Sequence, residues 1–378
     1  MLIILQLGLY VLGHAIYALY IHPLAKIPGP KLYALSDLPY IIQLVRGKGP
    51  ATLKSFHDKY GPVVRFARND VSFISPNAWK QIYGHKRPGS PSYDKDLRHY
   101  RETLTSSPNI LIANDSDHSR MRRLLAHAFS EKALRGHEDI MKFYMDRLIA
   151  KLNEKTRASE IIDMTRWYNF TTFDIIGDLA FGESFSCLDS GGYHPWVAMI
   201  LKGFKLATLR QALKRFPMLS PIFKLFLPRS LMRASRENLQ LSFEKAKKRM
   251  ENGDIEREDF MSYILRHNDE KGMTADEIGE NANVLIVAGS ETTATLLSGT
   301  TYYLLRNPEI YLKLVQEIRA AFKTEDEINL VSVSNLKFLL ASLNEGLRMY
   351  PPVPIGLSRK TPKGGEMVEG YWIPEDVF

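Results

Sequence analysis

The sequence predicts a mainly helical protein with a small β part. Three observations carry that reading. Apolar residues recur at the helical period through long runs from Ser116 onward. Strand-like alternation is confined to two short stretches. Prolines stand at the joints between the later helical runs. With 378 residues, 45% hydrophobic and 11% aromatic, the chain can bury a large core.

The first element is M-L-I-I-L-Q-L-G-L-Y-V-L-G-H-A-I-Y-A-L-Y-I-H, apolar apart from Gln6, His14 and His22. A helix of that length crosses a hydrocarbon core of about 30 Å. It has no positive n-region and no small-residue cleavage site, so a cleaved signal fits less well. Lys26 and Lys31 follow it, and K-I-P-G-P supplies a stiff break. The positive-inside rule then places the body in the cytoplasm, with a single-pass N-terminal anchor. The two polar interruptions leave an amphipathic or core helix as the alternative. The expected organisation is an anchor over 1–22, a Pro-rich hinge over 23–31 and one body over 32–378.

Gly61 to Ser75 alternates apolar and polar residues and predicts a hairpin turning at Arg68-Asn69-Asp70. Helical runs follow over about 118 to 157, 163 to 182, 195 to 215 and 230 to 252. The clearest helix begins at Thr274, where Thr274 and Glu277 have capping-box spacing, and runs to Arg306. Asn307 is then expected to cap a helix from Pro308 to Phe322. Another spans Asn335 to Met349, stopped by Pro351-Pro352. E-M-V-E-G-Y-W-I-P predicts a last short hairpin. The apolar, proline-broken segment Lys214 to Arg233 reads either as a connection packed on the core or as a loop in a membrane interface.

The net charge of +8 is spread along the chain, with no basic block interleaved with aromatics, so no nucleic-acid face is expected. Cys187 is the one cysteine, which excludes a disulfide framework and a Cys-rich zinc site. There is no Gly-x-Ser-x-Gly or P-loop, and His137-Glu138 lacks the second His of a zinc helix. No metal-ligating set is expected from the side chains.

One stretch conflicts with helix stability. V-A-G-S-E-T-T-A-T puts Gly289, weak-forming hydroxyl residues and the Glu291 carboxylate in the middle of an apolar helix. Gly289 would let a planar or bulky group approach, and Thr292 can bond the Ala288 carbonyl. Glu291 beside Thr292 sets an acid next to an alcohol, able to relay protons into an apolar pocket. A plain helix–helix contact through small residues is the competing reading. Elsewhere, Glu345 and Arg348 stand three apart among Leu343, Leu347, Met349 and Tyr350, which predicts a buried fork. His118 and Arg122 share a helical face suited to an anion, and Arg359 follows the P-P-V-P turn as another cation.

Taken together these residues resemble the cytochrome P-450 family of heme-thiolate monooxygenases. A-G-S-E-T-T is similar to its oxygen-binding helix motif, E-G-L-R to its Glu-x-x-Arg helix, and H-S-R-M-R to its Trp-x-x-x-Arg motif with His118 for Trp. The resemblance runs in order from the anchor and I-P-G-P to residue 378, and is closest to microsomal, fungal secondary-metabolism members. It implies a cytochrome P-450 fold, incomplete at the C-terminus, and a heme cofactor. It also implies Ala288, Gly289 and Thr293 at the heme, and catalytic roles for Glu291 and Thr292. His118, Arg122 and Arg359 would hold heme propionates. It further implies an apolar small-molecule substrate lined by parts of Ser90 to Leu111, Trp196 to Phe216 and the Ile355 turn. The remaining implications are an NADPH-dependent flavoprotein reductase as partner and an endoplasmic reticulum membrane location. The family's Phe-x-x-Gly-x-Arg-x-Cys-x-Gly loop is not in the sequence, and Ala180, Glu183, Phe185 and Asp189 occupy the matching positions around Cys187. The expectations are therefore a monooxygenase read without its last part or an inactive or binding-only relative. Residues 1–378 alone are not expected to form a stable heme-thiolate enzyme.

Overall fold

A computed structural model of the protein describes residues 1–86, 91–100, 105, 107–218, 227–252, 259–268 and 272–378. The chain forms two compact units, one of Met1–Arg101, Phe204–Pro228 and Ile355–Phe378, the other of Glu102–Gly203 and Arg229–Pro354.

The first unit opens with α1, Leu2–Ile16, whose helix widens into a π turn over Tyr17–Ile21. The 20 residues Leu2–Ile21 have mean hydropathy 1.9, as expected of a spanning helix. Three helices follow that the sequence pattern did not announce: α2 (Lys31–Leu35), α3 (Leu38–Val45) and α4 (Gly49–Tyr60). Next comes the expected hairpin of β1 (Val63–Ala67) and β2 (Asp70–Phe73), with Val63 opposite Phe73 and Arg65 opposite Val71. Ser75 caps α5 (Pro76–Tyr83) by accepting the Ala78 N–H at 3.0 Å. β3 (Asp94–Lys95) pairs with β4 (Arg359–Lys360), and β5 (Glu366–Val368) pairs with β6 (Tyr371–Ile373). The last hairpin turns through Glu369 and Gly370 at φ 50° and 79°, the left-handed pair that a two-residue hairpin loop requires.

Backbone bonds join the distant pieces of this unit. Val71 donates to the Phe378 carbonyl at 2.7 Å, Phe378 to Asn69 at 2.9 Å and Thr361 to Val377 at 2.8 Å. Leu24, Ile27, Val63, Ala78, Tyr93, Val368, Ile373 and Val377 form its apolar centre. Beside it lies a charged knot. Arg215 gives both terminal nitrogens to Asp70 at 2.9 and 2.8 Å, and Arg98 bonds Asp70 at 3.1 Å and Asp96 at 2.9 Å. Arg215 and Asp70 are almost wholly buried, so losing Asp70 would be costly, leaving the Arg215 guanidinium with the Asp37 carboxylate 3.9 Å away.

The second unit is helical. Its elements are α6 (Asp115–Ala128), α7 (Glu131–Gly136), α8 (Glu138–Arg157), α9 (Met164–Phe181) and α10 (Cys187–Ser190). α11 (Pro195–Lys214) starts here and runs on into the first unit's residues. Then come α12 (Arg229–Asn252), α13 (Phe260–Arg266), α14 (Ala275–Arg306), α15 (Pro308–Ala321), α16 (Leu330–Val333) and α17 (Lys337–Met349). The core gathers Phe170, Phe173, Ile176, Trp196, Met261 and Ile286 with α14 against α9.

Two boundaries differ from expectation. The 118–157 run is three helices, because Ser130 accepts the Ala133 N–H at 3.2 Å and starts α7 afresh. Asn307 does not cap α15. Its side chain turns back to donate to the Tyr303 carbonyl at 2.8 Å, closing α14 instead, and Pro308 opens the next helix. The Thr274–Glu277 capping box is formed as predicted. Residues 219–226, the middle of the Lys214–Arg233 segment read as a core connection or an interfacial loop, lie outside the described residues.

Candidate active site

α14 keeps its helical path through the polar stretch because each hydroxyl is satisfied along the helix itself. Ser290 donates to the Ile286 carbonyl at 2.7 Å, Thr292 to Ala288 at 2.5 Å and Ser298 to Ala294 at 2.7 Å. Bonds to the residue four back need no outside partner. The side chains then divide by face. Ser290 and Ala294 are buried, Thr292 is half-buried, and Ala288 and Thr293 are exposed. Ala288, Thr292 and Thr293 thus make an open strip of small and hydroxyl side chains.

Gly289 lies on the packed side. A Cβ there would stand 2.6 Å from Ile176 Cδ1 and 3.0 Å from its Cγ1. The missing side chain makes room for α9, which is the small-residue helix contact, rather than for the planar group expected there. Glu291 immediately precedes Thr292, about 100° around the helix from it. Its Oε1 is buried with no hydrogen-bond partner among the described residues, and burial raises its pKa above the usual carboxylate range. Burial first, then the Glu291 charge, push the Tyr193 phenol up as well. The Tyr193 ring meets Phe170 edge-on at 5.0 Å, with the Arg166 guanidinium 5.9 Å from its centroid.

On α6, His118 is half-buried and Arg122 exposed, one helical turn apart. Arg120, between them, is the residue that sequence reasoning missed. It donates to both Glu277 oxygens at 2.6 and 2.9 Å, to Asp117 at 2.9 Å and to the Gly272 carbonyl at 2.6 Å. Its hydrogen bonds, ahead of the opposing cost of burial, hold the Glu277 carboxyl below the usual range. Arg359 belongs to the first unit, where Nη1 donates to the Tyr100 hydroxyl at 2.9 Å and the guanidinium lies 5.1 Å from the Tyr83 ring.

Glu345 and Arg348 form the expected fork, Nε to Oε2 at 2.7 Å and Nη2 to Oε1 at 2.6 Å. Burial, however, is not observed, since the side chains are 58% and 66% exposed. The helical period explains the error. α17 sets Gly346 against Thr300 of α14, and Glu345 and Arg348 fall on the exposed side.

The sequence matches the cytochrome P450 family over residues 28–377. It is 42% identical over 372 residues to the cytochrome P450 monooxygenase efuB of Hormonema carpetanum, covering 97% of this chain and 74% of that protein. To the cytochrome P450 monooxygenase astA of Talaromyces wortmannii it is 44% identical over 363 residues, covering 96% and 73%. The trichothecene C-15 hydroxylase of Fusarium sporotrichioides is 40% identical over 373 residues, covering 98% and 72%. This chain belongs to the cytochrome P450 family. Its class is that of heme monooxygenases, which work with a redox partner on hydrophobic substrates.

The residues can be tested against the heme that the family implies. A flat group against α14 needs a strip free of bulk with a polar atom in reach, and Ala288, Thr292 and Thr293 provide one. Cys187 does not fit as an axial donor. It is fully buried, its thiol is pushed up to about 11 chiefly by that burial, and its backbone N–H is held by Asp174 at 3.0 Å. Asp174 also takes the Leu188 N–H at 2.8 Å, so this corner is a structural cap on α10. Arg120 had a signal in sequence, three residues after Asp117. Ile176 and Tyr193 had none, because their partners are set by helix packing.

Proposed function

We propose that the protein inserts one oxygen atom into a C–H or C=C bond of an apolar small molecule of fungal secondary metabolism. Electrons would come from an NADPH-dependent flavoprotein reductase. The substrate class is supported by relatives such as the trichothecene C-15 hydroxylase. The observation that carries the reaction type is the open Ala288–Thr292–Thr293 strip next to a half-buried carboxyl with a raised pKa.

Heme, when bound, supplies the activation of dioxygen. The chain's own part is proton handling and exclusion of water. The Thr292 hydroxyl, which now donates to the Ala288 carbonyl, is a polar atom on the open strip and can turn its proton outward. Glu291 keeps its proton at pH values where an ordinary carboxyl has lost it, so its Oε atoms are a local proton store. Because the two side chains face apart, transfer between them passes through water. His118 and Arg122 supply paired donors for carboxylates of the cofactor. The apolar Leu2–Ile21 helix supports an endoplasmic reticulum anchor with a cytoplasmic body.

The test is Thr292→Ala in the heme-loaded, reductase-coupled protein. Peroxide released per NADPH consumed should rise several-fold. An unchanged ratio would remove Thr292 from proton handling.

A further inference from the structure

The N-terminal half of α14 carries polar side chains where a helix that only packs would carry apolar ones. Glu277, Glu280 and Asn281 are all buried, Asn281 to 1% exposure. A buried amide or carboxylate is costly unless it is hydrogen-bonded, so each position has a partner to account for it. Arg120 of α6 holds Glu277. Glu280 Oε1 accepts the Thr105 N–H at 3.1 Å, and Asn281 Oδ1 accepts the Ile110 N–H at 2.9 Å. These last two bonds hold a loop, not a helix.

That loop makes its own shape. Asn109, itself buried, accepts the Leu111 N–H through Oδ1 at 3.0 Å. Its carbonyl accepts from Ile112 at 3.1 Å and from Ala113 at 2.9 Å. An Asx turn of this kind needs no neighbour. Ile110 packs against the core, whereas Leu111 at the tip is 44% exposed. Asn281 therefore fixes where the turn stands and not how it is folded.

The Asn281 side chain is locked in its turn. Nδ2 donates to the Glu277 carbonyl at 2.8 Å and lies 3.7 and 3.6 Å from the sulfurs of Met121 and Met273. With an N–H on its oxygen and a carbonyl on its nitrogen, the amide has one orientation. Both methionines are buried, which leaves it no room to swing. Thr292 lies about 16 Å along α14 from Asn281. A wall held at that distance meets the far part of a bound molecule and not its reacting atom.

We infer that Asn281 is a positioning residue for substrate, setting Leu111 as the wall against the end remote from Thr292. This rests on the reading of Ser90 to Leu111 as part of the substrate lining. The part of the substrate that meets it is an apolar chain or ring edge, because Leu111 offers no polar side-chain atom. The latch thus selects by length, and a molecule too short to reach Leu111 gains nothing from it.

The test uses the full-length chain with two variants, Asn281→Leu and Leu111→Ala. Amide hydrogen exchange needs no ligand and reads the latch. Ile110 should exchange several-fold faster in Asn281→Leu, with Ile286 in the middle of α14 unchanged. N-butylimidazole and N-dodecylimidazole then act as rulers on the heme-loaded protein, since the ring nitrogen ligates iron and only the longer tail reaches Leu111. The shift of the heme absorption band gives each dissociation constant. Both variants should lose several-fold in affinity for the dodecyl compound and keep their affinity for the butyl compound. Unchanged exchange at Ile110 overturns the latch. Faster exchange with parent-like dodecyl affinity makes the bond structural only and overturns the positioning role. Leu111 is exposed on a turn, so its variant stays folded even where Asn281→Leu does not, and parent-like dodecyl affinity there also overturns the assignment. A parent that gives no band shift with either imidazole refutes the proposed heme chemistry, and the positioning role falls with it, while exchange still reads the latch.

Discussion

Gly289 on α14 and Ile176 on α9 are fitted to each other, with a methyl group at residue 289 coming within 2.6 Å of Ile176 Cδ1. Gly289→Ala should therefore destabilise the protein by about 1–3 kcal/mol through overpacking, despite Ala being the better helix former. In an Ile176→Val background, which withdraws the Cδ1 atom, most of that loss should disappear. Denaturant unfolding of the four proteins measures the coupling. Equal losses in both backgrounds would mean that another group occupies the space.

Glu291 carries a pH signature of definite sign. Burial raises its folded-state pKa, so ionisation works against the fold. The cost is absent below the ordinary Glu value of about 4.3, grows as pH rises through the raised value, and is complete above it. Glu291→Gln should melt several degrees higher than the parent at pH 7 and at the same temperature near pH 3. A gain that is independent of pH would show that charge is not its cause.

Arg120 and Glu277 should behave in the opposite sense. The Glu277 carboxyl is held low by its hydrogen bonds from Arg120, so the stabilisation is present above the usual carboxylate range and is lost as pH falls through the lowered value. Arg120→Ala should cost about 2–3 kcal/mol at neutral pH, since it strands a largely buried carboxylate. The penalty should shrink in acid, as followed by urea unfolding at a series of pH values. A constant penalty would point to lost packing of the Arg stem.

Cys187 should ignore thiol reagents in native buffer at pH 8, being fully buried with its thiol pushed up to about 11. Labelling should appear only as urea unfolds the second unit. Asp174→Ala, which removes the acceptor of the Cys187 and Leu188 N–H groups, should bring that labelling forward to lower urea. Rapid stoichiometric labelling of the folded parent would contradict the burial.

What could be read from the sequence was what repeats or is chemically local. The 3.6-residue pattern located α9, α11, α12 and α14 to within two residues, and the Thr274–Glu277 spacing fixed the start of α14. The Thr292 bond to Ala288 followed from residue type and spacing alone. Burial of Glu345 and Arg348 did not, because apolar neighbours in sequence surround a helix on all sides while only one side packs. The short helices of residues 31–60 were silent chiefly because of their length. α2 and α3 span five and eight residues, too few turns for a helical period to repeat. Which residue fills the space above Gly289 depends on the register of two helices far apart in sequence, and no local pattern encodes it.

The backbone bonds that tie Asn69 and Val71 to Phe378 have a consequence for how the chain is made. The first unit needs residues from both extremes of the sequence, with a middle piece at Phe204–Pro228. On a ribosome adding about 5–20 residues per second, tens of seconds pass between the appearance of the β1–β2 hairpin and that of its last partner. Throughout that interval β2 presents an unpaired edge, while the second unit has most of its helices in hand. The helical unit is thus positioned to fold during synthesis, and the sheet-bearing unit is left to close after it. A nascent chain halted before Thr361 should be protease-resistant over the helices and cleavable in the hairpin.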